Sequence, residues 1–463
     1  MSESDAKATK PELDHLIDVF GQRIIPVFTQ ISFCFDLPDG DHLEDILTTL
    51  KQGSERLAKH FPWLAGQVVC ENATDTSTGY FKIKPLKAAP RVWIKDLRDD
   101  LSMPSWEVLK SANFPMRSLS ENIVAPRQTI DEPNESVAEV FQLQATIFRG
   151  GLILTFLGHH QAMDGTCQAQ IIHWFSKCCR DEGFTPEQLR IGNFAPEDSV
   201  DLLGDSWTPG PELDYNIIKQ DSSQPGPGRF QGEISMEAGS WSHYNFSASS
   251  LERLKSRATE TLPQGASYIT TDDALTAFVW QSIARARFPR FGHSTNMVCA
   301  RAVDLRRYLG IPEMHPGCVQ NMTYHPLNIV EAAGSPLGIL AADLRAALDP
   351  RTSNLTYHVR SLTTLISRTL DKKTISFLAG HDPSRDVMLS SWANQNSYQL
   401  DFGLELGNPR AMRRPLFDSL PGLAYILPRT LEGHVGVVIC LSLDDTQRLR
   451  EDRDFMKSVT CID

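Results

Sequence analysis

The stretch from Ala138 to Arg180 limits the fold more than any other part of the chain. Ala138–Phe148 and Gly151–Leu157 are apolar, strand-like runs separated only by Arg149-Gly150, so they read as a hairpin. Gly165–Arg180 follows at once, with Cys167, Ile171, Trp174, Phe175 and Cys178 at helical spacing. A hairpin that passes directly into an amphipathic helix excludes an all-α or all-β chain. It also excludes a purely parallel sheet, because hairpin strands are antiparallel. Leu43–His60 reads as a second amphipathic helix, stopped before Pro62. Asp272–Arg287 reads as a third, which Thr271 or Asp272 would cap. Gly436–Leu443 reads as a late strand and Thr446–Lys457 as a terminal helix. The expected class is therefore α/β, with mixed sheets flanked by helices.

A chain of 463 residues is too long for one compact unit of ordinary size. The expected division falls at residues 184–232, which are rich in Pro, Gly, Asp and Ser and show little periodicity. Residues 1–183 and 233–463 would then form two lobes joined by a crossover loop. Residues 128–135 read as a second, shorter loop.

Charge and composition remove several classes of function. A net charge of −12 argues against a general nucleic-acid or anionic-membrane binder. No apolar run approaches the ~18 residues of a membrane span. The first residues are polar, without the apolar core of a secretory leader, so the sequons at Asn72, Asn134, Asn245, Asn321 and Asn354 read as chance matches. Nine cysteines with no CxxC pair suit neither a disulfide framework nor a zinc site, and the expected compartment is the reducing cytoplasm.

The sharpest motif is "LILTFLGHHQAMDGTCQAQ". An apolar strand ends at Gly158, the turn holds His159, His160, Asp164 and Gly165, and a helix follows. Such a turn can hold an imidazole at the edge of a rigid sheet, facing a cleft. Imidazole is the side chain best matched to accept a proton near neutral pH. Asp164 would orient the ring or anchor the turn, and Gly165 would give the chain room to enter the helix. The plain alternative is a packed turn with a hydrogen-bonded histidine pair, and the full pattern after a strand favours chemistry over it. A metal site is not expected, because no third ligand recurs at the right spacing.

Other patterns carry less. Asp401-Phe402-Gly403 lacks the companion motifs of a protein kinase and reads as a buried plug in a tight bend. Thr270, Thr271 and Asp272 stand at a helix N-terminus, which suits either ordinary capping or an anionic ligand. Asp304 and Arg306 read as a buried salt bridge. Arg410, Arg413 and Arg414 read as a solvated basic face. "GPGRFQG" follows no strand and is not a dinucleotide fingerprint.

Together, HHQAMDG at 159–165 and DFGLELG at 401–407 resemble the BAHD-type (HXXXD) CoA-dependent acyltransferase superfamily. "FPWLAGQV" at 61–68 resembles the superfamily's early helix-to-strand motif, and within the superfamily the chain looks most like the fungal trichothecene 3-O-acetyltransferases, through "FTQISFCF", "KDLRDD", "ENIVAPR", "TTDDALTAFVW", "RAVDLR", "QNMTYH" and "MLSSWANQ". It departs from them at Leu404-Glu405, where the superfamily carries an aromatic-Gly pair, and at His159, where the trichothecene enzymes carry Gln. The resemblance implies two chloramphenicol-acetyltransferase-like lobes with a channel between them and His160 at its middle. It implies that His160 is the general base for transfer of an acyl group, acetyl first, from acyl-CoA to a hydroxyl of a fungal-type secondary metabolite. Asp164 would pair with Arg306 and hold the turn. Trp392 and Ser390 would stabilise the oxyanion, with Gly165, Arg306, Asp401 and Gly403 as structural support. Thr270, Thr271 and Asp272 are the first candidates for CoA contact, and Lys255, Arg257 and Arg413 the weaker phosphate candidates. No metal is implied, and the oligomeric expectation is a monomer. Two alternatives stay open: a CoA-independent condensation or cyclisation enzyme on a carrier-bound or intramolecular substrate, and a non-catalytic metabolite-binding relative. The acceptor is not legible, and an amine stays open beside a hydroxyl.

Overall fold

The structure is a computed structural model that describes residues 13–23, 26–37, 42–86, 92–130, 137–194, 200–219, 239–266 and 268–463. Two sheets dominate it, each in its own lobe. The first has five strands, in spatial order Ala411–Arg413, Phe28–Asp36, Gly151–His159, Phe141–Phe148 and Val92–Asp96. The second has seven, in the order Gln320–Asn328, Asn296–Asp304, Val387–Ser391, Leu423–Ile426, Val435–Leu441, Ser240–Phe246 and Thr460–Cys461. Both contain parallel and antiparallel pairs, so both are mixed, as expected. A small three-stranded sheet joins His15–Leu16, Tyr80–Pro85 and Gly66–Glu71.

The hairpin forms as read, Phe141–Phe148 against Gly151–His159. Gly151–His159 is buried along its whole length, because Phe28–Asp36 covers its other edge. The helix Gly165–Cys179 packs on it through Ile171, Phe175 and Cys178. Leu43–His60 is helical with the bounds expected. The terminal helix is broken into Leu443–Glu451 and Arg453–Ser458. Asp452 causes the break: its carboxylate caps the second piece through the Asp454 and Phe455 amides and also takes Arg285.

The crossover carries more structure than its composition suggests. Pro186–Gly192 is a helix with a full capping box between Thr185 and Gln188. Beyond it, Leu203 bonds Thr364 and Leu213 is buried against Leu305 and Val359, so residues 200–219 pack onto the second lobe. Residues 195–199 and 220–238, with the "GPGRFQG" segment, lie outside the described residues, as do residues 131–136 of the shorter loop.

The main core cluster runs from the first sheet to the facing side of the second. It includes Phe33, Phe156 and Phe175, then Trp392, Phe402, Met412 and Val438 from late in the chain. A second cluster lies behind the second sheet around the helix Thr271–Arg287, nearly all of which is buried. All nine cysteines are free, and among the described residues no helix is long and apolar enough to cross a membrane.

Candidate active site

The strand Gly151–His159 delivers two adjacent histidines into different surroundings. His159 still pairs in the sheet opposite Phe28 and is 1% exposed. Its ring packs edge-on against Phe28, with the centroids 4.9 Å apart, and its Nδ1 has no partner. Burial pulls its pKa down to about 3, with His160 and Arg127 adding to the effect, so it is a neutral core residue.

His160 leaves the sheet. Its amide donates to the Val27 carbonyl at 2.9 Å, and its Nδ1 lies 3.1 Å from the Met163 carbonyl. A carbonyl only accepts, so the proton sits on Nδ1 and Nε2 keeps its lone pair. Nε2 faces the side-chain amide of Gln320 at 3.3 Å. Burial holds the pKa of this half-buried ring below its ordinary value; Asp164 opposes that shift and the Arg414 charge adds to it. A neutral imidazole with a directed lone pair is a base ready to work.

Asp164 fixes the turn without touching the ring. One carboxylate oxygen accepts the Cys167 amide at 2.8 Å and caps the helix Gly165–Cys179. The other accepts the Arg306 Nη1 at 2.9 Å and the Val319 amide at 2.8 Å. The Asp164 amide donates to Gly317 at 3.1 Å. Arg306, 1% exposed, also donates to Asp304, to the His315 carbonyl and to the Gly317 carbonyl. The Asp164–Arg306 pair therefore ties the histidine turn of the first lobe to the segment 304–319 of the second. The Asp304–Arg306 salt bridge is present, but only Arg306 is buried: the Asp304 side chain is 38% exposed, because the strand ends there and Arg306 opens the short helix Arg306–Leu309.

Gly165 acts by clearance. It begins the helix with ordinary backbone angles, and a Cβ there would come within 3.3 Å of the Trp392 indole nitrogen and 3.8 Å of Gln395 Nε2. Its carbonyl accepts from Gln395 at 3.1 Å. The expected need for turning freedom is thus replaced by close approach of the second lobe. Trp392 follows the strand Val387–Ser391, is 5% exposed, and packs against Tyr425. Along that strand Val387, Leu389 and Ser391 face the second core, and the Ser391 hydroxyl bonds Asp272. By alternation Ser390 faces the other way, toward the first lobe, on the side that Trp392 packs.

The candidate CoA contacts are placed less openly. Thr270, not Thr271 or Asp272, caps the helix Thr271–Arg287, in a capping box with Asp273. Asp272 and Asp273 both take Arg301, and Asp273 also takes Arg345. Thr271 is half-buried at the first helical position, and Lys255 is exposed on the helix Ala248–Glu260. Arg257 pairs with Asp454. Arg413 is 5% exposed and spends its donors on the Phe114, Met412 and Asn113 carbonyls. The solvated basic face is therefore corrected. The strand Ala411–Arg413 joins the sheet edge beside Phe28–Asp36, which carries Arg413 and Arg414 inside and leaves only Arg410 at the surface, paired with Asp36.

Asp401 and Gly403 build the plug. The Asp401 carboxylate accepts the Gly403 amide at 2.8 Å, and Gly403 takes a φ of 64°. The bend drives Phe402 among Phe33, Phe35, Phe156 and Phe175. Gln320, Gln395 and the Met163 carbonyl escaped the sequence reading. Gln320 lies in the "QNMTYH" segment, but a glutamine at the start of a strand carries no signal of what it faces. Among the described residues no group of His, Cys, Asp and Glu side chains is arranged to hold a metal ion.

Comparison with known proteins supplies the family. The trichothecene 3-O-acetyltransferase-like N-terminal domain matches residues 27–179, and the Transferase family matches residues 108–456. The O-acetyltransferase dmxR13 of Cryptosporiopsis sp. is 44% identical over 96% of this chain and 97% of its own length. The trichothecene 3-O-acetyltransferase TRI101 of Fusarium sporotrichioides is 38% identical over 98% of each. The structure of F. graminearum TRI101 with coenzyme A and deoxynivalenol superposes with a TM-score of 0.91 at 37% identity, covering 97% of this chain and all of that one. With a family match over most of its length and relatives aligned end to end, the chain belongs to the Transferase family and carries the trichothecene 3-O-acetyltransferase-like N-terminal domain.

Proposed function

We propose that this chain transfers an acyl group, acetyl by likeness to its relatives, from acyl-CoA to a hydroxyl of a fungal-type secondary metabolite, with His160 as general base. The observation that carries the reading is the neutral imidazole at the end of the central strand, its Nδ1 committed to Met163 and its Nε2 lone pair turned toward the Gln320 side chain of the second lobe. Nε2 takes the proton of the acceptor hydroxyl as that oxygen attacks the thioester carbonyl carbon. The tetrahedral oxyanion collapses, the C–S bond breaks, and the proton passes from His160 to the leaving thiolate. General base catalysis of this kind contributes roughly 10²–10⁴-fold. No acyl-enzyme forms, so donor and acceptor are bound together.

Trp392 and Ser390 are the proposed oxyanion donors, on the side of the second sheet that faces the first lobe. Asp164 and Arg306 hold the lobes in register. The lobes divide at the 184–232 crossover, with residues 1–183 on one side and 233–463 on the other, and the Ala411–Arg413 strand reaches back to complete the first sheet. Thr271, Asp272 and the exposed Lys255 remain the proposed contacts for CoA. The acceptor is a small-molecule alcohol, the protein acts as a monomer, and its compartment is the cytoplasm.

The melting temperature with and without acetyl-CoA tests this without knowledge of the acceptor. Ligand at about 100 times its Kd stabilises the chain by roughly 2.7 kcal/mol, a shift of a few degrees. A shift with acetyl-CoA and with free CoA, and none with ATP, is expected. No shift at millimolar acetyl-CoA would overturn the reading in favour of a carrier-bound or intramolecular substrate.

A further inference from the structure

The lone pair that makes His160 a base is not free. With Nδ1–H donated to Met163, the Gln320 side chain donates its amide N–H to Nε2 at 3.3 Å. The segment carrying Gln320 is held from both sides. On one side Val319 donates to the Asp164 carboxylate, and Gly317 accepts from the Asp164 amide and from Arg306. On the other, Arg23 donates to the Gln320 carbonyl at 3.4 Å and to Asn321 Oδ1 at 3.0 Å. The same carboxylate thus fixes the turn that bears the base and the strand that bears the amide. The amide therefore reaches the ring from a rigid frame.

We propose that Gln320 is a latch on the catalytic base, which occupies the His160 lone pair until an acceptor hydroxyl displaces it and so suppresses hydrolysis of the acyl donor. The inference rests on the transfer reading above. An activated base beside a bound thioester will use any hydroxyl that reaches it, and water is always present. In the side reaction Nε2 takes a proton from water as its oxygen attacks the thioester carbon. The C–S bond then breaks, the proton returns to sulfur, and acetate and free CoA are released. A water must compete with the amide for one lone pair and gains little by winning. An acceptor that the protein binds through the rest of its surface brings binding energy of its own and displaces the amide. Gln320 acts through His160, so it is a positioning residue.

The test needs only acetyl-CoA and a thiol assay. Gln320→Met keeps the length and removes the donor. Its release of CoA without acceptor is expected to exceed that of the wild type by roughly tenfold, the scale of one such hydrogen bond. The gain should vanish in the Gln320→Met/His160→Ala double variant. The acid limb of the hydrolysis profile should also move to higher pH, because a donor to the neutral ring disfavours its protonation. Asp164 and Arg414, the charged groups acting on the ring, are unchanged in the variant. Gln320→Asn, whose amide is one methylene short of the ring, should behave in the same direction and guards against a folding defect of the methionine. Equal or slower CoA release in both variants, from protein that melts more than a degree or two higher with acetyl-CoA, would overturn the latch and leave the transfer reading standing. A wild-type chain that does not respond to acetyl-CoA at all would overturn both.

Discussion

Two helices in this molecule begin with the same equipment and do different things with it. Gly165–Cys179 is capped by Asp164, whose carboxylate also holds the buried Arg306. Thr271–Arg287 is capped by Thr270, and Asp273 in its first turn holds the buried Arg301 together with Arg345. In both, an acid at the positive end of the helix satisfies free amides and neutralises an arginine. At the second helix every polar side chain named is spent within the protein: Thr270 on Asp273, Asp272 on Arg301 and Ser391. At the first, the turn before the cap also carries the half-buried His160, whose Nε2 faces Gln320. The acid and its arginine are a joint in both places. What sets the first place apart is the His160 ring beside the joint, to which the proposed function assigns the chemistry.

The largest effect should separate the ring from the joint. His160→Ala is expected to lower turnover by roughly 10²–10⁴-fold while the acetyl-CoA melting shift and the thermal stability stay near those of the wild type. Wild-type turnover in this variant would remove the contrast between the two helices. The two joints can then be compared directly. Asp164→Asn and Asp273→Asn should each cost about 3 kcal/mol in urea unfolding, because each leaves a buried arginine short of a carboxylate. Asp164→Asn should also lower activity per folded molecule, since it loosens the turn and the 317–321 segment together. Asp273→Asn should leave that activity unchanged. A loss of activity with Asp273→Asn at full folding would show that this joint, and not only the neighbouring Thr271 and Asp272 proposed to meet CoA, serves the reaction.

The sequence presented these two ends as near equals, and that is the limit of what it could show. It read the hairpin, the helix after it and the histidine turn, because these follow from apolar periodicity and local turn chemistry. The pairing of Asp164 with Arg306 came through family likeness, since the two are 142 residues apart. Whether Thr270 and Asp272 were free depended on Arg301, Arg345 and Ser391, which arrive from three other elements. Arg413 and Arg414 looked solvated because a three-residue edge strand gives almost no periodic signal. The helix Pro186–Gly192 was readable from Thr185-Pro186-Glu187-Gln188 but was lost in the composition of the linker around it.

Acidity should distinguish the two helix ends by the identity of the group that titrates. The folded His160 holds its pKa below the ordinary value, so it stays neutral at pH 7 and is lost as a base only when the pH falls below about 6.5. The acid limb of kcat/KM is therefore expected below that value, and a limb above it would contradict a buried neutral ring. Stability should decline over the same range. His159, held down to about 3, and His358 and His381, each held down to about 4, stay neutral in the fold while the unfolded chain takes up their protons. Asp273 has a window of the same sign at lower pH. Burial raises its pKa, but Arg301, Thr270 and Arg345 outweigh that and leave it lowered. Its contribution is complete above the unfolded carboxylate value near 4 and is lost only as the pH falls through the lower folded value. The stability difference between the wild type and Asp273→Asn should therefore stay constant from pH 8 to about 4.5, while activity and total stability both fall. Urea unfolding of the two proteins across that range measures it. A difference that shrinks above pH 5 would mean that the Asp273 joint is held less tightly by its arginines than the geometry requires.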